Sequence, residues 1–202
     1  MSYEVELKFP LTDADSRRIV LEMTRLGAAR QSSVEQRDLY FNHPTRNFAR
    51  TDEALRIRVA GESTFLTYKG PLLDSRTKTR HEIELPVGRS PADADQLSEL
   101  LRQLEFRKVR TVAKTRVPWF LHWENHSAEI VLDNVAGLGL FLELEILTDA
   151  ASLDETRDSI LRLAEHLGLK HPERRSYLRL LLETDETADG MSKDEPDPMA
   201  AP

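Results

Sequence analysis

Apolar and polar residues alternate with a period of two through most of this chain. Tyr3, Val5, Leu7 and Phe9 alternate with Glu4, Glu6 and Lys8. Successive strand side chains point to opposite faces, so this segment predicts a strand with one apolar and one charged face. The same alternation predicts strands over 34–41, 55–59, 64–69, 76–87, 109–117, 119–124, 128–135 and 140–147. Helical spacing interrupts it in a few places. Ile19, Val20, Met23 and Leu26 form a stripe behind a cap at Thr12 or Asp13, and Gly27 supplies the stop. Leu97, Leu100, Leu101 and Leu104 form a second stripe after Ser90. Ser152 and Glu155 have capping-box spacing for a third helix ending near Leu167, and a short last helix is predicted from about Ser176.

The charged strand faces collect Glu4, Glu6, Lys8, Arg56, Arg58, Lys69, Lys78, Arg80, Glu82, Glu84, Lys114, Arg116, Asp133, Glu143 and Glu145. Two arrangements accommodate them. An open antiparallel sheet would turn this face to water. A closed sheet would turn it inward, because barrel interiors alternate with exteriors along every strand. The pairing of like charges favours closure. Glu4/Glu6, Arg56/Arg58, Lys114/Arg116 and Glu143/Glu145 stand two apart on one face, an arrangement that costs stability and that surface patterning would avoid. Guanidinium forks suit phosphate oxygens, and carboxylate doublets suit Mg2+ or Mn2+. The predicted fold is α+β: a closed antiparallel barrel of about eight strands forming a charged tunnel, with helices packed outside.

Composition narrows the function classes. The chain has 202 residues, no cysteine and 31% charged residues. Thiolate chemistry and a disulfide framework are therefore excluded. No secretory leader or membrane-length apolar run is present, so a cytoplasmic protein without a membrane partner is expected. The formal net charge is −7, but seven acids against Lys193 from Glu183 onward hold six of those charges. The stretch 183–202 reads as an acidic disordered tail, with the folded domain over 1–182. The body is then near neutral, which argues against a nucleic-acid partner. The six histidines show no ligand spacing.

Several segments together resemble the CYTH superfamily, the triphosphate tunnel metalloenzymes. They are Glu4-Val5-Glu6-Leu7-Lys8 (E-x-E-x-K), Asp38-Leu39-Tyr40-Phe41, Leu55-Arg56-Ile57-Arg58, Thr67-Tyr68-Lys69-Gly70-Pro71, Arg80-His81-Glu82-Ile83-Glu84, Lys114-Thr115-Arg116, Leu132-Asp133-Asn134-Val135, Phe141-Leu142-Glu143-Leu144-Glu145 and Ser176-Tyr177-Leu178. The resemblance spans roughly residues 2–182. Within the superfamily it is strongest to the class IV adenylate cyclase branch, through Tyr68-Lys69-Gly70-Pro71 and the late Ser-Tyr, and it extends to thiamine triphosphatase.

The resemblance implies a nucleoside or other organic or inorganic triphosphate as partner, and Mg2+ or Mn2+ as cofactor. It implies metal contacts, direct or through water, from Glu4, Glu6, Asp133, Glu143 and Glu145. Phosphate contacts fall to Lys8, Arg56, Arg58, Lys69, Arg80, Lys114 and Arg116, with Lys8, Lys69 and Glu145 closest to the chemistry. Arg80 suits an ion pair on its own face equally well, and Glu82 and Glu84 suit orienting the neighbouring cations. Tyr40 and Tyr177 read as packing residues. A homodimer is compatible with this reading. Cyclisation of ATP to cyclic AMP and pyrophosphate is the expected reaction. The alternatives are hydrolysis of thiamine triphosphate or tripolyphosphate, and non-catalytic binding of nucleotide or polyphosphate. Whether Arg174 or Arg175 replaces the triphosphatases' late lysine is left open.

Overall fold

The computed structural model describes residues 3–73 and 76–191, without the side chains of 188–191. In chain order its elements are β1 (Tyr3–Leu11), α1 (Asp13–Arg25), β2 (Ala29–Arg30), β3 (Val34–Asn42), α2 (Phe48–Thr51), β4 (Ala54–Ala60), β5 (Ser63–Lys69), β6 (Arg80–Gly88), α3 (Pro91–Gln103), β7 (Arg107–Trp123), β8 (His126–Val135), β9 (Gly139–Thr148), α4 (Leu153–His166) and α5 (Tyr177–Met191). The strands follow the order β2-β7-β3-β4-β5-β6-β1-β9-β8, and β8 returns to pair with β7. Every pairing is antiparallel. Eight strands therefore close on themselves, with two-residue β2 as an extra ribbon beside β7. Closure removes the open faces and settles the choice between sheet and barrel.

The apolar outer faces are covered by helices. Val5, Leu7, Leu142, Leu144, Ile146 and Ile130 meet Ile19 and Met23 of α1 and Ile160 and Leu163 of α4 in the main core. A smaller core joins Leu39, Ile57 and Val59 to Ala94 and Leu101 of α3. Helix α5 does something different. Its Tyr177 and Leu181 pack on Tyr40, Val112, Val135 and Phe141, which lie at inward positions near one end of the barrel. α5 thus covers that end. Gly137 makes the approach feasible: it has φ +83°, and a Cβ there would lie 3.2 Å from Leu181 Cδ2.

Local departures from the sequence expectations have local causes. The strand predicted over 76–87 begins at Arg80. Its pairing with β1 is limited to Tyr3↔His81 and Glu4↔Arg80, after a buried passage in which Lys78 N–H donates to the Glu6 carbonyl at 2.9 Å. The two strands predicted over 109–124 are one, running through Pro118. The proline is tolerated because it falls where β3 ends (Val34↔Arg116) and β2 has yet to begin (Arg30↔Trp119). The Ser152–Glu155 capping box does not form; the Asp149 carboxylate instead accepts from the Ala151 and Ser152 N–H groups at 2.9 and 3.0 Å. The last helix is not short. It continues through 183–191, a stretch read as tail, and 192–202 lie outside the described residues. Phe48–Thr51, between the strands predicted over 34–41 and 55–59, forms a helical turn capped by Asn47.

Candidate functional site

The closed sheet encloses a cavity of about 780 Å3. Glu4, Glu6 and Lys8 of β1 face it because their parity opposes that of core residues Val5, Leu7 and Phe9. By the same rule β4 contributes Arg56 and Arg58, β5 Lys69, β6 Arg80, Glu82 and Glu84, β7 Lys114 and Arg116, and β9 Glu143 and Glu145. Arg56 and Lys114 are buried, as a tunnel requires and an open sheet would not. Acids concentrate on the adjacent strands β1, β9 and β8. The cations lie mainly on β4 and β5 and on β7, which adjoins β8.

The cations are held by carboxylates at several depths. Asp38 receives Arg58 bidentately, with Nε and Nη2 both at 2.7 Å, and Arg56 Nη1 at 3.3 Å. Burial opposes ionisation of Asp38, but Arg58 and Arg56 outweigh it and keep the carboxyl well below the usual range. Asp133 is 0% exposed. It accepts from Lys114 at 2.8 Å, from Arg116 at 2.9 and 2.8 Å, and from the Tyr177 hydroxyl at 3.2 Å. Its oxygens are committed to these donors, and it does not line the cavity. Lys69 Nζ lies 2.7 Å from both Glu4 and Glu82. Lys78 pairs with Glu6, and Arg116 also contacts Glu143. Arg80 donates to the Asp52 carbonyl at 3.2 Å.

Lys8 is 1% exposed. Its ammonium donates to the Arg175 carbonyl and lies 4.1 Å from the Tyr177 ring centroid. Burial, and then the charge of Lys78, lower its pKa to about 7. Tyr177 is therefore more than a packing residue, since its ring and hydroxyl touch the charged lining. The Arg175 guanidinium pairs with Glu173 and Glu183 outside, and Arg174 donates to the Thr77 carbonyl at 3.4 Å.

The acidic wall has charge to spare. Glu6 stands opposite Glu145 across β1–β9, and Glu145 stands opposite Glu129 across β9–β8. Burial raises the Glu145 carboxyl well above the usual range; Arg116 opposes the shift, and Glu4, Glu143 and Glu6 add to it. Glu129 is raised chiefly by burial as well. Among the described residues no three acids or histidines are gathered in ligand geometry. The fit to a cation rests instead on this row of carboxylates, whose mutual repulsion a divalent ion would relieve. Glu6 and Glu145, with Glu4 and Glu143 beside them, suit it. Asp133 does not.

Glu129 escaped the sequence reading, although it shares inward parity with Asp133 four residues on. Asp38 and Lys78 were visible on charged faces or in motifs without a role. Their partnerships come from cross-strand register, which no single segment encodes.

A CYTH domain model matches residues 2–177. The chain belongs to the CYTH domain family. CYTH relatives include a Methanocaldococcus jannaschii protein described as a candidate adenylate cyclase, 34% identical over 88% of this chain and 97% of its own length. The adenylate cyclase CyaB of Aeromonas hydrophila is 31% identical, over 88% of each chain. A solved structure from Pyrococcus horikoshii OT3 shares 39% identity at a TM-score of 0.76, covering 90% of this chain and 99% of that one. No helix among the described residues is long and apolar enough to cross a membrane.

Proposed function

We propose that this CYTH protein is a metal-dependent enzyme that cyclises ATP to cyclic AMP and pyrophosphate. The observation that carries the reading is the charge balance of the lumen. Among the described residues, nine carboxylates and eight cations line the cavity or pair directly with its lining. A highly charged triphosphate entering a nearly neutral, partly desolvated lumen needs cations for its oxygens and a counter-charge for the acids it displaces. Arg56, Arg58, Lys69, Lys78, Arg80, Lys114 and Arg116 supply the first. Glu4, Glu6, Glu143 and Glu145 would hold Mg2+ or Mn2+ for the second. Bound there, the metal supplies neutralisation of phosphate charge and acidification of a coordinated hydroxyl.

This chain's own groups then have distinct tasks. The basic wall aligns the phosphates so that the ribose 3′-oxygen faces the α-phosphorus. That oxygen bonds to phosphorus while the bond to the α–β bridging oxygen breaks and pyrophosphate leaves. Glu145 can take the hydroxyl proton only as a carboxylate not bound to the metal, so that role belongs to the arrangement in which Glu4, Glu6 and Glu143 would hold the ion. Lys8 gains full charge as phosphate oxygens approach, since a nearby anion favours its ammonium form. Lys69 leaves Glu4 and Glu82 for the phosphate chain. Cyclase-named relatives at 31–34% identity support the nucleotide assignment. Hydrolysis of thiamine triphosphate or tripolyphosphate is the second reading, because the charged lumen alone suffices for it.

Product analysis on ATP, thiamine triphosphate and tripolyphosphate, each with Mg2+ or Mn2+ and with EDTA, separates these readings. Cyclic AMP with pyrophosphate, lost in EDTA, is the expected result. Orthophosphate without cyclic nucleotide would assign hydrolysis, and binding without product would leave a binding module. Glu6→Gln and Glu143→Gln should each lower turnover about a hundredfold. Unchanged turnover in both would remove the metal assignment.

A further inference from the structure

The charged lining does not run the whole length of the lumen. At the end away from α5 it turns apolar on three strands. Along β7 the inward positions read Lys114, Arg116, Pro118, Phe120. Along β9 they read Glu143, Glu145, Leu147, and β3 ends inward at Val34 beyond Gln36. Pro118, Phe120, Leu147 and Val34 all line the same cavity as the phosphate-gripping cations. Phe120 is 45% exposed and Leu147 71% exposed, although strand parity points both into the barrel mouth. Phe120 also stands opposite Glu129, so an aromatic ring borders the acidic row directly. Large apolar groups left open at the mouth of a charged cavity mark a site for an apolar surface.

We propose that this collar seats the organic ring of the substrate, with the ring lying on Phe120 and against Pro118, Val34 and Leu147. The substrate class is then a triphosphate carrying a flat heteroaromatic group, not inorganic tripolyphosphate. This rests on the triphosphate reading and goes beyond it by assigning the ring site. The arrangement has a natural polarity: the phosphates run inward between the basic and acidic walls, while the ring stays at the open mouth. Stacking on an aromatic side chain tolerates different rings because each presents a π-face. Adenine and the thiamine rings share that chemistry, and the test separates them.

The test is calorimetric titration, with Mg2+, of the wild type, Phe120→Ala and Phe120→Trp. The ligands are triphosphate analogues with methylene groups at both bridging positions, in adenosine-bearing, thiamine-bearing and inorganic forms. Phe120→Ala should weaken the matching ring-bearing analogue about tenfold. It should leave the inorganic analogue within about twofold, and Phe120→Trp should restore ring binding to near the wild-type value. Loss confined to the adenosine form identifies a purine seat, and loss confined to the thiamine form identifies thiamine. Equal weakening of all three, or no change in any, overturns the collar assignment. If the wild type binds none of them, the triphosphate reading itself falls, and the collar with it.

Discussion

Asp133→Ala should destabilise the protein by about 3–5 kcal/mol, the range for breaking a buried ion pair from one side. Asp133 is fully enclosed, and it accepts from Lys114, from Nε and Nη2 of Arg116 and from Tyr177, although Arg116 also reaches Glu143. Its removal leaves an ammonium and a guanidinium side by side with no carboxylate between them. Burial and the nearby Arg116 already lower the Lys114 pKa, so the lysine would shed its proton or draw water into the wall. Asp133→Asn keeps the volume and one carbonyl acceptor and should lose less. Glu84→Gln, at a side chain 39% exposed, should change stability by under about 1 kcal/mol. Urea unfolding at neutral pH reads all three as midpoint shifts at constant m. An Asp133→Ala loss no larger than that of Glu84→Gln would mean that water already solvates these cations, contrary to the packed wall.

Much of this architecture was legible because the barrel obeys parity. Period two placed Glu4, Glu6 and Lys8 opposite Val5, Leu7 and Phe9, and the buried cavity lining follows that division residue by residue. Like-charge doublets exposed the closure, since they make sense only where an opposite wall or a ligand answers them. Depth and partnership were harder to read. Asp133 and Glu143 look equivalent as inward acids, yet one is walled in by three donors and the other lines the cavity. That difference depends on register across β7, β8 and β9. Glu129 was overlooked because it forms no like-charge doublet on its face: Val131 stands two residues on, and Asp133 four. Its neighbours in the acidic row come from other strands. The covering of one barrel end by α5 was also out of reach. Leu180 to Leu182 show an apolar run but not which surface it meets.

Lys8→Met should abolish triphosphate binding and yet stabilise the ligand-free protein near neutral pH, by on the order of 1–3 kcal/mol. The expected sign follows from burial. Desolvation, reinforced by Lys78, lowers the Lys8 pKa to about 7 in the folded state, against 10.5 when the group is unperturbed. Below pH 7 both folded and unfolded chains hold the proton, and folding bears the full penalty of a buried ammonium. Between pH 7 and 10.5 the unfolded chain binds more protons than the folded one, so stability from this group rises with pH. Above 10.5 both are neutral and the penalty is gone. A shift of this size corresponds to about 4–5 kcal/mol in total. The Arg175 carbonyl and the Tyr177 ring, which methionine forfeits, return part of it in the wild type. Denaturant midpoints measured in EDTA from pH 6.5 to 10 should show Lys8→Met ahead at the acid end and the wild type closing the gap as pH rises. Parallel pH profiles would show that Lys8 keeps its charge throughout, and the lowered pKa would then be wrong. If the gap closes, the lysine is strained in the empty lumen and relieved by phosphate, and triphosphate binding above pH 7 should take up close to one proton. Titrations in buffers of different ionisation enthalpy should detect that proton in the wild type and, undiminished, in Lys69→Met, because Glu4 and Glu82 outweigh the burial of Lys69 and raise its pKa, so that Lys69 is already protonated. Loss of the proton in Lys69→Met, or no uptake by the wild type, would place the titrating group elsewhere than Lys8.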